Sequence, residues 1–241
     1  MIEPRITAGN LVRLRQAVMF GLDLGDHTTV LATVEGSGAD TVPNAIGSRA
    51  TPTVVSYGAR QRYVGEDAAA QRVTNFANTV EGLPSLLGRR AWSSGGGAEP
   101  ATTELGGDGV RVSYGGSDLT LANEAVVGAY MAGMVQLARG VHAAAGQEPM
   151  LVLAVPSYYT PVQRHALAHA GAIAGAQIAQ LCDETVATAL FYAHERLRDA
   201  DQSYSQAVLF VDAGHCHTTA FVVHYDLGVG ASHIPPLLII S

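Results

Sequence analysis

One phosphate-loop pattern is written twice in this chain. Val18-Met19-Phe20-Gly21-Leu22-Asp23-Leu24-Gly25-Asp26-His27-Thr28-Thr29 is the first copy, and Ala207-Val208-Leu209-Phe210-Val211-Asp212-Ala213-Gly214-His215-Cys216-His217-Thr218-Thr219 is the second. Each runs from an apolar stretch through Asp-x-Gly and a polar turn to Thr-Thr and a further apolar stretch, which predicts two buried strands joined by a tight turn. A carboxylate at the strand end can hold a metal ion through water. The glycine after it lets backbone N–H groups approach a phosphate. Two such hairpins, separated by mixed helix and strand, point to a duplicated nucleotide-binding fold with phosphates held between the halves.

Composition narrows the function classes. A net charge of −7 and a pI near 5.6 argue against a nucleic-acid surface. No apolar run has the length of a membrane span, so no membrane partner is expected. Only Cys182 and Cys216 occur, which fits a reducing compartment rather than a disulfide framework. Cytoplasm is the expected location. Arg5, Arg13 and Arg15 within residues 1–17 keep a mitochondrial presequence as the alternative, although those residues otherwise read as a disordered extension. All 14 basic residues are arginines. No mechanism that needs a lysine near phosphate can run on this chain.

Between the hairpins the pattern alternates. Val54–Tyr57 reads as a strand, Leu83–Arg90 as a short helical end, residues 93–109 as a Gly-rich surface loop, and Val110–Tyr114 as a half-buried strand. Residues 121–145 carry Val126, Val127, Tyr130, Met131, Met134, Val135, Ala138 and Val141 at helical spacing, as the core face of a long helix. Met150–Val155 is a buried strand ending at Pro156. Thr160-Pro161-Val162-Gln163 predicts a capped helix over 161–174. Gln177–Asp183 reads as a strand, Glu184–Leu197 as a helix, and 195–201 as a charged linker. The class is α/β.

These residues, taken in order, resemble the ATPase domain of the 70-kDa heat-shock protein family. The resemblance starts at Gly21-Leu22-Asp23-Leu24-Gly25. It continues through the stretch from Pro43 to Val55, then Tyr63-Val64-Gly65-Glu66, Asn78-Thr79-Val80 and Leu87-Gly88-Arg89-Arg90. Val155-Pro156-Ser157-Tyr158-Tyr159, Gln163-Arg164, Ala170–Gly175 and Asp183–Ala189 follow, and the match ends near Val223. Phe210–His215 resembles most the large 110-kDa branch, whose members act mainly as nucleotide-exchange partners and holdases. Residues 43–90 resemble the chaperone insert, which sets aside a sugar kinase of the same ancestry.

The resemblance implies an actin-like (ribonuclease-H-like) ATPase fold. Residues 18–203 would form its first lobe, with an inserted subdomain at 53–128. Residues 204–241 would form the opening hairpin of the second lobe and a divergent tail. It implies ATP or ADP with Mg²⁺ as cofactor, with Asp23 and Asp212 holding the metal through water. Asp23, Glu184 and Asp212 take the catalytic positions. Gly25, Asp26, His27, Gly214, His215 and His217 take the phosphate-contacting ones, and Pro156 and Arg164 form an interlobe switch pair. It also implies a 70-kDa chaperone and unfolded clients as partners.

Three departures weaken hydrolysis. Asp26 stands where the family has threonine, and a carboxylate facing phosphate is repulsive unless a metal intervenes. The family's catalytic lysine falls at Pro84, which cannot stabilise phosphoryl charge. The Gly-rich second loop reads His215, Cys216, His217, and has Thr219 where an aspartate is expected. The family's later adenosine motif is not seen after Val223. The expected function is therefore a divergent co-chaperone or exchange partner with weak or lost ATPase. The alternatives are an active chaperone completed by residues outside this chain, and a non-functional product. Zinc at His215, Cys216 and His217 is disfavoured for want of further ligands. Cys182 is expected to be buried and inert.

Overall fold

The computed structural model describes residues 18–35, 38–88, 105–106, 109–141, 148–197, 204–226 and 237–240. The readings at 1–17, at 93–104, at 142–145 and across most of 195–201 lie outside these residues. Contacts divide the chain into two units, Met1–Leu153 with Tyr159–Leu181 and Ala154–Tyr158 with Cys182–Ser241.

The first hairpin is β1 (Met19–Leu24) and β2 (Thr28–Glu35), extended by β3 (Gly38–Thr41) and by β4 (Thr51–Pro52), which also pairs with β2. Phe20 and Leu22 of β1 are buried while Gly21 and Asp23 are exposed, the period-two pattern of a strand with one covered face. A small antiparallel sheet follows, with β5 (Val55–Tyr57) between β6 (Arg62–Val64) and β7 (Thr79–Val80). A four-residue helix α1 (Glu66–Ala69) and 3₁₀ turns at Phe76–Asn78 and Leu83–Leu86 punctuate it. The Asn78-Thr79 motif has a clear physical role. Thr79 donates to Ser56 Oγ at 2.9 Å, Asn75 donates to the same atom at 3.0 Å, and Asn78 Oδ1 accepts from Ser113 N at 2.7 Å. That network holds the buried Ser56 and ties the next sheet to this one.

That next sheet is β8 (Leu105–Gly106), β9 (Gly109–Tyr114) and β10 (Ser117–Leu121). It corrects the reading of 93–109 as loop throughout, since Leu105 and Gly106 pair with Val110 and Gly109. β10 escaped the sequence reading because most of its side chains, Leu119 among them, are exposed. Its signal was Gly115-Gly116, where both residues have positive φ (64° and 80°), as a two-residue hairpin turn requires.

Helix α2 (Asn123–Val141) starts two residues later than predicted, because Leu121 is spent on β10. Seven of the eight expected core positions are buried; Val141, at the helix end, is exposed. β11 (Met150–Val155), α3 (Pro161–Ile173) and β12 (Gln177–Asp183) match the reading. Thr160 and Gln163 form the reciprocal capping box, with Gln163 N donating to Thr160 Oγ1 and Thr160 N to Gln163 Oε1. α2 and α3 pack closely because Gly128 lacks a side chain; a Cβ there would lie 2.8 Å from the carbonyl oxygen of Ala170. The large sheet has the order β12-β11-β1-β2-β3.

In the second unit α4 (Glu184–Arg196) is followed by β13 (Ser205–Ala213), β14 (Thr218–Asp226) and β15 (Leu237–Ile240), paired in that order. Ala189, Leu197, Phe221, Val223 and Tyr225 form its core, with Phe210 stacked on Phe221 at 5.0 Å. One expectation changes here. The apolar runs are not wholly buried, since Leu209 and Val211 are each 64% exposed. On a pleated strand they share the face opposite Val208 and Phe210, which pack on the core. Within the tail, β15 pairs Leu237–Ile240 with Tyr225–Val222 of β14.

Removing the α3 cap by Thr160→Ala lowers the unfolding free energy by about 1 kcal/mol. Gly128→Val forces the α2–α3 contact apart and costs more, about 1–3 kcal/mol or above. Urea titrations of both variants beside the parent chain check the order.

Candidate functional site

The two hairpin turns are equivalent by register, in a way the sequence alone misaligned. Leu24 pairs with Thr29 across the first hairpin, and Ala213 pairs with Thr218 across the second. Gly25-Asp26-His27-Thr28 therefore corresponds to Gly214-His215-Cys216-His217. Thr29 matches Thr218, and Thr28 matches His217. The repeated Thr-Thr pairs that marked the duplication are offset by one residue. Each glycine closes its turn against the same carbonyl. A Cβ on Gly25 would sit 2.6 Å from Thr28 O, and one on Gly214 would sit 3.1 Å from His217 O. Gly214 N donates to His217 O at 2.9 Å.

Asp23 and Gly21 lie on the exposed face of β1, the middle strand of the large sheet, and nothing stands within 4 Å of a Cβ built on Gly21. The carboxylate has open space beside it, and hard oxygen donors of this kind suit a hydrated Mg²⁺. Asp26 is half-buried and His27 exposed at the turn. The charge here is acidic, so the first loop suits a metal ion better than a bare phosphate.

The first loop is held from beneath. Thr53 N donates to His27 O at 2.9 Å. The buried hydroxyls of Thr29 and Thr53 pair at 2.9 Å. Tyr130 of α2 brings its hydroxyl to Thr51 O at 3.5 Å, the long limit of a hydrogen bond. Burial pushes the Tyr130 phenol up to about 12, against the opposing pull of the Thr29 and Thr53 hydroxyls. Asn44 shapes the segment that supplies Thr51–Thr53. Its Oδ1 accepts from Ser48 N at 2.9 Å and Ile46 N at 3.1 Å, while its amide reaches Thr51 Oγ1 and Glu66 Oε1 at 3.4 Å. The stretch from Pro43 to Val55 is therefore the brace of the first loop. Thr29, Thr53, Asn44 and the Tyr130 hydroxyl were missed as site residues. Tyr130 read as core packing, and no spacing rule joins it to threonines some eighty to a hundred positions earlier.

Pro84 is buried in the 3₁₀ turn Leu83–Leu86, and its carbonyl accepts from Tyr159 Oη at 3.4 Å. No charged group can project from this position. Arg164 donates from Nε to Tyr159 O at 3.2 Å, close to the start of its own helix.

In the second unit Asp212 is exposed at the end of β13, and His215, Cys216 and His217 are exposed in the bend. They lie between β13 and β14 rather than on a strand, so no common strand face presents them as a metal pair. No group of three metal-ligating side chains occurs among the described residues. His217 packs on Tyr158, ring centroids 5.0 Å apart. Pro156 is half-buried. Glu184 is half-buried in the first turn of α4, after Asp183 at its N-cap, where the helix dipole favours a carboxylate. Cys182 is half-buried rather than fully buried, and burial with the neighbouring Asp183 raises its thiol pKa, which keeps it unreactive.

The structure thus gathers Asp23, Gly25, Asp26 and His27 on one turn, and Asp212, Gly214, His215 and His217 on another. Among the described residues no helix is long and apolar enough to cross a membrane.

The family model described as Hsp70 protein matches residues 19–231. Over 86% of its length the chain is 31% identical to heat shock protein hsp88 of Neurospora crassa, covering 30% of that protein. It is 30% identical to heat shock protein 88 of Dictyostelium discoideum over 86% of the chain and 27% of the relative. Heat shock protein 110 of Caenorhabditis elegans is 30% identical over 87% of the chain and 28% of the relative. The chain spans less than a third of the length of these relatives.

If the hydroxyl pair braces the loop, Thr53→Val leaves Thr29 buried and unpaired and costs about 1–3 kcal/mol. The Thr29→Val/Thr53→Val double variant then loses less than the sum of the singles. A double-mutant cycle in urea measures the coupling.

Proposed function

The chain belongs to the Hsp70 protein family and carries its α/β actin-like ATPase fold, and from that premise we propose that it binds ATP or ADP weakly, does not hydrolyse it, and serves protein folding as a co-chaperone. Asp23 and Asp212 hold Mg²⁺ through water, and the Gly25–Thr28 and Gly214–His217 turns take phosphates. Glu184 keeps the family's acidic position, and Pro156 with Arg164 the switch pair. Residues 18–203 serve as the first lobe and 204–241 open the second.

The observation that carries the loss of hydrolysis is Pro84. The family's lysine position is filled by a buried ring whose carbonyl is engaged by Tyr159. Phosphoryl transfer depends on positioned positive charge, and the chain has no lysine. Asp26 adds a negative charge at the first turn, and His217 stands where the first loop has Thr28. Similarity to heat shock protein 110 and the hsp88 relatives supports the co-chaperone role. By that likeness the partner is a 70-kDa chaperone, the setting is the cytoplasm, and the effect is faster release of the partner's ADP.

With the purified chain, phosphate release from Mg-ATP stays at background and is unchanged by Asp212→Ala. Calorimetry gives a dissociation constant weaker than micromolar. Turnover that Asp212→Ala abolishes would establish an active ATPase instead. Release of fluorescent ADP from a 70-kDa chaperone tests the exchange role; no acceleration by any longer product of the same gene would refute it.

A further inference from the structure

Helix α3 carries two histidines that the nucleotide reading leaves unused. His165 and His169 are both exposed, while Ala166, Leu167, Ala170 and Gly171 of the same helix are buried. Residues four apart on a helix sit one turn above each other, with Cβ atoms about 5–6 Å apart. That spacing lets two imidazole nitrogens reach one ion at the usual bond length of about 2.0–2.1 Å. Ala168 and Ala172 flank the pair along the helix, so no long side chain of α3 falls between the rings. Neither ring takes part in a hydrogen bond, ion pair or ring contact among the described residues. The helix beneath them is already built, capped by Thr160 with Gln163 and seated on α2 at Gly128. Binding therefore orders only two side chains, not a backbone.

We infer that His165 and His169 form a two-point chelate for a divalent transition-metal ion of the imidazole-preferring class, Ni²⁺, Cu²⁺ or Zn²⁺. No third His, Cys, Asp or Glu joins them among the described residues, so water completes the coordination shell. The site is an open surface clamp and not a closed four-ligand structural zinc site. It lies apart from the phosphate turns along the chain and uses different ligand chemistry from the oxygen donors proposed for Mg²⁺. A bound ion favours the folded helix by mass action.

Nickel sulfate is the probe, because it does not engage redox chemistry at Cys182 or Cys216. Calorimetry on the 241-residue chain in mildly alkaline, non-chelating buffer gives one dominant Ni²⁺ site. His169→Ala weakens it about tenfold or more, because a second linked ligand multiplies affinity by its effective concentration. His169→Ala with Ala172→His keeps the histidine count but moves the partner seven residues away, about 10 Å along the axis, and does not restore binding. His215→Ala with His217→Ala leaves the dominant site unchanged. Substoichiometric Ni²⁺ broadens the His165 and His169 ring resonances first, a readout on the parent chain that needs no variant. Equal affinity in the parent and His169→Ala, restoration by the displaced histidine, or first broadening at His215 and His217 would overturn the inference.

Discussion

Both hairpins turn on a glycine set against a backbone carbonyl, with no room for a Cβ at Gly25 and little at Gly214. At Gly25 a Cβ would overlap the Thr28 carbonyl, and at Gly214 it would press on the His217 carbonyl. The tight turn places the strand-end carboxylates Asp23 and Asp212 beside a run of backbone, which is the arrangement a hydrated cation and a phosphate need. The rest of the first unit serves that turn. β4 pairs with β2, the Thr29 and Thr53 hydroxyls lock beneath it, and the Asn44 turn delivers the supporting segment. The loop is thus held from beneath by strand pairing and by buried hydroxyls.

Geometry and charge diverge at this point. The backbone frame of the two Asp-x-Gly turns is the same in each unit, while their side chains differ. Asp26 puts a carboxylate at the first turn, Pro84 contributes a carbonyl to Tyr159, and His217 packs on Tyr158 at a tilt. A fold keeps its turns because glycine and strand pairing are stability requirements. Charged side chains at the same turns are not such a requirement, because their burial or mutual repulsion costs stability.

Much of the fold was legible because its signals are local. The apolar run of β1, the Thr160–Gln163 box and the spacing of Val126 through Ala138 each depend on neighbours in sequence, and each strand or helix starts within two residues of where those signals put it. The failures arose where a property depends on something distant. The mostly exposed β10 is held by pairing with β9 rather than by burial. The exposure of Leu209 and Val211 depends on what covers a sheet face, which no strand pattern states. The one-residue offset between the Thr-Thr pairs is written in their spacing from Gly25 and Gly214, but that the two turns keep one length shows only in the strand register. At the site, Asp23, Gly25, Asp212 and Gly214 were readable as a repeated motif. The brace of Thr29, Thr53 and Tyr130 was not, because α2 meets the hairpin only after folding.

The account stands on both turns being phosphate-binding elements despite their altered side chains. Backbone amide resonances followed during a Mg-ADP titration test that most directly. The amides of Gly25–Thr28 and Gly214–His217 should shift together, saturating at millimolar nucleotide, with the same curve at both turns. Shifts confined to residues elsewhere, or none at either turn in millimolar Mg-ADP, would contradict it.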